Sequence, residues 1–166
     1  MPRFFLYQVE RWADVWHEMA VHWEAHYQEI SMHVKHGIPL SVDVDAYSDL
    51  DAKEMLHLVT VREARLACGD PKAPLIGYAL YILRPHLHYK ETLHAYCDVY
   101  YLAKDGRKGL AGYRLLQYAE ETLKKRGVQM LMSGTKASLD MSRLFERLGW
   151  SLSEQTFLKY LGKQEG

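Results

Sequence analysis

Hydrophobic and polar positions change period several times along this chain, and each change marks an element. Phe4 to Val9 is a short run of aromatic and branched residues, the pattern of a strand. From Glu10 the spacing lengthens. Trp12, Val15, Trp16, Met19, Trp23, Tyr27 and Ile30 recur at steps of three and four, which predicts a long amphipathic helix with a wide aromatic stripe. That helix is expected to end near Gly37, with Pro39 as a stop just beyond. Asp45 to Met55 predicts a second, acid-rich helix, and Leu56 to Arg62 a strand. A turn at Gly69-Asp70-Pro71 leads into an apolar strand from Pro74 to Leu83. After the Arg84-Pro85 break, a polar, His-bearing loop runs to Lys90, and Leu93 to Ala103 is another long strand. Lys104 to Gly109 is a basic loop. Leu110 to Arg126 is a helix with Leu115, Leu116, Ala119 and Leu123 on one side, stopped by Gly127. Val128 to Met132 has the composition of a buried parallel strand. Ser142 to Leu148 predicts a last helix, and Trp150 to about Leu161 a closing strand.

The order β, α, α, three strands, then α, β, α, β predicts one α/β domain over residues 1–166, built on a mixed central sheet. Leu93 to Met132 is its one βαβ unit, expected to cross over right-handed. With 166 residues the chain can bury a sizeable core without staples. Lys and Arg number 21 and so do Asp and Glu, and a net charge of zero argues against a dedicated nucleic-acid binder. Cys68 and Cys97 are too few for a disulfide framework and read as reduced thiols. The longest uncharged apolar stretch, Ala73 to Leu83, falls short of the roughly 20 residues of a membrane span. The first ten residues lack a long apolar run and a small-residue cleavage site. The expectation is a cytoplasmic protein with no membrane partner.

The chemistry concentrates between Leu102 and Leu116. A strand ends, Gly106, Gly109 and Gly112 carry the chain through a turn, and a helix begins near Leu110. The first N–H groups of a helix lack partners and carry the positive end of its dipole, and small residues let an anion approach them. Lys104, Arg107, Lys108 and Arg114 surround the turn, with Asp105 the only acid between Tyr100 and Ala119. Such a turn suits a pyrophosphate. A Walker loop and a dinucleotide Gly-x-Gly-x-x-Gly pattern are both absent.

The stretch from Tyr101 to Val128 resembles motif A of the GNAT N-acetyltransferases, with Arg107 on the basic position, Leu110 on the first glycine and Gly112 on the last. Ser138 to Trp150 resembles the family's motif B, with Ser138 at an Asn position and Phe145 at a Tyr position. The compact layout is also similar to small family members of bacteria and bacteriophages. The resemblance implies the acyl-CoA N-acyltransferase fold, a mixed sheet with helices on both faces. It also implies acetyl-CoA, or another acyl-CoA, as co-substrate for acylation of a small-molecule or protein amine. The main chain of Tyr101, Leu102 and Ala103 would pair with the pantetheine arm. Arg107, Lys108, Gly109, Leu110, Ala111, Gly112, Tyr113 and Ser138 would hold the remainder of the coenzyme. His26, Tyr27, His86, His88 and His94 would line the acceptor pocket.

Direct attack needs a neutral amine, so a base is required, and the leaving thiolate takes up a proton. Asp98 is the base candidate, because it is the only charged group between Leu93 and Leu102. Strand alternation would put His94, Tyr96, Asp98 and Tyr100 on one face. A carboxylate satisfied by hydrogen bonds is the alternative for Asp98. The family's acidic tyrosine is replaced by Phe145, which leaves Tyr100 and Tyr113 as proton-donor candidates. Cys97, opposite Asp98 in alternation, reads as a structural thiol. His17-Glu18 does not complete His-Glu-x-x-His, and His22 with His26 has no third ligand at diagnostic spacing, so no metal is expected. The Trp12/Trp16/Trp23 stripe reads as core; a homodimer interface is its alternative if the rings prove exposed. Lys124-Lys125-Arg126 reads as a solvated helix end. The competing functional class is a GNAT-shaped CoA-binding or interaction module without turnover. Modification of a nucleic-acid base is a third option, disfavoured by the charge balance.

Overall fold

The computed structural model describes residues 3–64 and 73–162. The expected turn at Gly69-Asp70-Pro71, and Cys68, lie outside the described residues. Strand β1 (Phe4–Glu10), helix α1 (Trp12–Ile30), helix α2 (Val44–Ala52), β2 (Leu56–Ala64), β3 (Leu75–His86), β4 (Tyr89–Leu102), helix α3 (Ala111–Lys125), β5 (Met130–Met132) and helix α4 (Ser142–Arg147) follow in order. The five strands form one sheet in the order β1-β2-β3-β4-β5. The first four are antiparallel to their neighbours, and β5 is parallel to β4.

Helices cover both faces, and strand alternation sorts the residues between them. Val59, Val61, Ile76, Ala79 and Ala95 face Leu115, Ala119 and Leu123 of α3. Leu58, Tyr78, Leu80 and Tyr101 face Trp12, Val15 and Met19 of α1. The central strands β2 and β3 are therefore buried on both sides, which is why they read as continuous apolar runs. Trp12 is buried, and Trp16 and Trp23 are partly buried against the same cluster, so the aromatic stripe is core. Arg62 is the charged member of this interior. It donates to Glu10 and to Glu18 and to the carbonyl of Ala73, which ties β2, β1 and α1 together. No described helix is long and apolar enough to cross a membrane.

Four local expectations change. Helix α1 stops at Ile30, because Ser31 turns extended and its hydroxyl caps a 3-10 turn over Met32–His36. Gly37, at φ 64°, closes that turn instead of the long helix. The supposed loop from Arg84 to Lys90 is mostly strand, since β3 runs through Pro85 to His86 and β4 begins at Tyr89. The register slips at Pro85/His86, where proline has no N–H to give the ladder. Arg126 is not a solvated end: its guanidinium donates to the carbonyls of Leu56 and Glu54 and fastens α3 to the start of β2. No strand forms from Trp150 to Leu161. Trp150 instead docks on Phe145 and donates its indole N–H to Glu120 of α3, and the residues beyond it leave Leu152, Phe157 and Leu161 exposed. An alternating pattern becomes a strand only beside a free edge, and β5 offers three residues of edge.

His57 is buried under α3, with Thr122 on one ring nitrogen and the Arg126 guanidinium beside the other. Burial first, then the Arg126 charge, pushes its imidazole down to about 4. A folded-state value below the ordinary 6.5 means that the unfolded chain binds the proton first as pH falls. Stability from this residue is thus full above about pH 6.5 and is lost down to about pH 4, by an amount on the order of 3 kcal/mol. Replacement His57→Gln should flatten the pH dependence of the melting temperature over that window relative to the parent protein.

Candidate active site where β5 leaves β4

Strand β5 pairs with β4 over His94–Met130, Ala95–Leu131 and Tyr96–Met132 only. From Cys97 to Leu102 the outer edge of β4 has no strand partner among the described residues. The N–H of Ala103 donates to the carbonyl of Ile76, 2.8 Å away, so alternation turns the main chain of Tyr101 and Ala103 toward β3. The main chain of Tyr100 and Leu102 faces the open edge. Of the three residues expected to offer free backbone groups, only Leu102 does so, and Arg107 Nε already occupies its carbonyl at 2.7 Å. Strands β3 and β4 approach very closely here: a Cβ on Gly77 would stand 2.7 Å from the Tyr101 carbonyl oxygen.

Asp98 sits on a bulge. Leu80 pairs with Val99 and Tyr81 with Cys97, which leaves Asp98 as the extra residue of β4. The bulge exchanges the faces of the strand. Leu93, Ala95 and Cys97 pack on the α3 side before it, and Tyr100 and Leu102 do so after it. His94, Tyr96, Asp98 and Tyr100 therefore do not share one face. The Tyr100 hydroxyl lies against the first turn of α3, 2.5 Å from where a Cβ on Gly112 would be. Asp98, exposed, accepts a hydrogen bond from the Tyr47 hydroxyl on α2. Burial, and then the Asp98 carboxylate, raise the Tyr47 hydroxyl far above the ordinary phenol value, so it stays a donor. Burial does the same to Tyr100 and pushes the Cys97 thiol up to about 11. A thiol so disposed is a poor nucleophile.

The turn that follows β4 opens the N-terminus of α3. Leu110 precedes the helix and supplies no side-chain cap. The N–H groups of Ala111, Gly112 and Tyr113 have no partner among the described residues. Gly109 has φ 92°, a conformation that favours glycine, with open space where a Cβ would be. Lys108 and Arg114 are exposed, and neither has an ion-pair partner among the described residues. Arg107 differs: its guanidinium grips Glu29 of α1 at 2.6 and 2.7 Å and holds that carboxyl below its usual range. Its charge is neutralised, and it acts as a clamp between the turn and α1. Free amides, a left-handed glycine and two cations fit an incoming diphosphate. Ser138 is exposed in the turn between β5 and α4, far along the chain from these amides.

On the opposite face, a cavity of about 260 Å3 lies between α1, residues 38–47 and the sheet. His26, Tyr27, Trp12, Trp23, Tyr47 and Tyr78 are among its walls, with Val99 of β4 and Lys136. His26 is buried against the Tyr101 ring, and burial lowers its imidazole, which favours the neutral form. The five residues expected to form one acceptor pocket are divided. His26 and Tyr27 line this cavity, whereas His86, His88 and His94 cluster at the β3–β4 hairpin, with His86 5.4 Å from His88 and 4.8 Å from His94. Among the described residues no group of three or more His, Cys, Asp or Glu could hold a metal ion. Sequence reasoning missed Tyr47, Glu29 and Lys136. Tyr47 and Glu29 lie on helices with no motif around them, so spacing gave no signal.

A strand split from its parallel neighbour beside an open helix start, with a cavity across the sheet, defines the acyl-CoA N-acyltransferase architecture. The family described as "Acetyltransferase (GNAT) family" matches residues 12–150, and the chain belongs to it. No curated protein matches the chain. Among solved structures, a transcriptional regulator from Bacillus halodurans is 20% identical with a TM-score of 0.69, over 95% of this chain and 100% of that one. An aminoglycoside acetyltransferase from an uncultured soil metagenomic sample, in complex with sisomicin, is 11% identical with a TM-score of 0.68, over 98% and 97%. A predicted acetyltransferase from Clostridium acetobutylicum, with acetyl-CoA, is 12% identical with a TM-score of 0.66, over 95% and 97%. At these identities the likeness establishes the fold.

The close approach at Gly77 is testable. Gly77→Ala is expected to cost about 1–3 kcal/mol by overpacking, because the opposing atom is backbone and cannot rotate away. Denaturant melts of the two proteins measure this directly, and an unchanged midpoint would show that β3 and β4 separate freely.

Proposed function

We propose that this protein is an acyl-CoA-dependent N-acetyltransferase that moves an acyl group, acetyl above all, onto a primary amine by direct attack. The observation that carries the reading is the split at Tyr96/Cys97, which lies between the open start of α3 and the cavity beside Asp98. The amides of Ala111, Gly112 and Tyr113, with Gly109, Leu110, Lys108 and Arg114, hold the diphosphate. The open main-chain groups of Tyr100 and the N–H of Leu102 pair with the pantetheine arm as an added strand would. Arg107 keeps the turn in place through Glu29.

The acceptor enters from the cavity side as an ammonium ion, past His26 and Tyr27. Asp98 takes its proton, directly or through water, with the carboxylate oriented by Tyr47. The amine nitrogen then attacks the thioester carbonyl, the C–N bond forms, the C–S bond breaks, and the departing thiolate gains the proton that the new amide nitrogen sheds. Tyr100, protonated and on the α3 side of the bulge, hydrogen-bonds the sulfur. Tyr113 is the other hydroxyl at the start of α3. Phe145 packs on Trp150 and takes no part in proton transfer.

Titration calorimetry with acetyl-CoA and a free-thiol assay over an amine panel test this reading. Asp98→Asn should lower kcat about a hundredfold, the scale of a lost general base, with acetyl-CoA affinity unchanged. The double reversal Lys108→Glu with Arg114→Glu should weaken acetyl-CoA binding about tenfold or more, because two diphosphate contacts become repulsive. The absence of both heat and thiol release across the panel would remove the acyltransferase reading.

A further inference from the structure

The acceptor cavity has a chemistry of its own. Its walls include the rings of Trp12, Trp23, Tyr27, Tyr47 and Tyr78, backed by Met19, Leu80 and Val99. Trp12 stacks on Tyr47 at 4.6 Å and on Trp23 at 6.2 Å, so the rings form a continuous aromatic surface. The Asp98 carboxylate stands beside the cavity on the Tyr47 hydroxyl, and Lys136 is on the cavity wall. A cation has an anionic anchor at Asp98, and a second positive group on the same ligand would meet Lys136.

Size narrows the ligand further. An apolar cavity of roughly 150 Å3 accommodates a benzene ring, and this one is about 260 Å3. A ring system with a two-carbon arm fits, whereas an oligosaccharide does not. The aromatic faces attract an ammonium group as well as a ring, and they offer nothing in place of the water around a polyhydroxylated body.

Resting on the acyltransferase reading, we infer that the acceptor is a small monoamine carrying an aromatic ring, of the 2-arylethylamine class. Its ring lies among Trp23, Tyr27 and Tyr47, the part-exposed rings of the wall, and its amine at Asp98. In the transfer, one ammonium proton goes to Asp98, the amine nitrogen bonds to the acyl carbon of acyl-CoA, the C–S bond breaks, and the second proton, shed by the new amide nitrogen, is passed through solvent to the thiolate.

Two readouts keep this inference separate from the reading beneath it. The first is tryptophan fluorescence of the full chain, with and without CoA, titrated with 2-phenylethylamine, tyramine, hexylamine and spermidine. The second is thiol release with acetyl-CoA and the same amines plus an aminoglycoside. Saturable fluorescence changes with the two aryl amines, and kcat/KM for them about tenfold or more above hexylamine and spermidine, are the expected result. Val42→Trp, which narrows the cavity from its loop side, should lower kcat/KM for 2-phenylethylamine about tenfold or more at unchanged acetyl-CoA affinity. Leu40→Trp is the second variant, in case the first disturbs folding. Turnover of spermidine or the aminoglycoside as fast as the aryl amines would overturn the inference and leave the acyltransferase reading standing. Saturable aryl-amine binding without thiol release would uphold the ligand class and overturn the activity. No fluorescence change and no thiol release would overturn both.

Discussion

A strand needs a partner on each edge, or else its amides and carbonyls must be met by water or by a ligand. Strand β4 meets that need unevenly along its 14 residues. It is paired on both sides at His94 to Tyr96, and on one side from Cys97 onward. The bulge at Asp98 falls just past that boundary, as bulges commonly do where pairing ends and a side chain must be re-aimed. It puts Asp98 toward Tyr47 and Tyr100 toward α3, so that one strand serves two sides of the site. Without the early end of β5 there would be no open edge. Without the bulge, Asp98 and Tyr100 would lie on the same side.

Charge is used with similar economy. The chain has no net charge, and the described residues spend many of their charges on one another. Arg62 holds Glu10 and Glu18, Arg3 holds Glu63 and Asp105, and Arg107 holds Glu29. These pairs hold β1, α1 and the turn before α3 against the sheet. Lys108 and Arg114 remain outward at the helix start, where a local positive field survives in a neutral molecule. On the other face Lys136 lines the aromatic cavity and Asp98 stands beside it on Tyr47. The two faces therefore present unlike chemistry: main-chain amides and cations on one, aromatic rings with the Asp98 carboxylate beside them on the other.

The architecture was largely legible in the chain. Spacings of three and four located α1 and α3, apolar runs located the buried strands, and the glycine-bearing basic turn located the open helix start. Boundaries were less so. The end of α1 depends on the Ser31 hydroxyl, and the hairpin at Arg84-Pro85 continues because β4 lies alongside to pair with it. The exposed stretch after Trp150 keeps a strand pattern without an edge long enough to use it. Within the site, Asp98 and the start of α3 stood out, as isolated charge and as motif. The partners that set their behaviour did not, because Tyr47 is 51 residues from Asp98 and Glu29 is 78 from Arg107.

Local sequence alone determined which segments are helix or strand, that the strands lie between apolar faces, and that a basic, glycine-bearing turn precedes α3. These properties follow from side-chain periodicity and backbone freedom within a few residues. Only the tertiary structure decided which face each β4 residue occupies, that Arg107 is neutralised, and that the histidines fall into two groups. A bulge is a mismatch between two strands, an ion pair needs both ends, and a cavity exists only between packed elements. No window along one strand contains any of them.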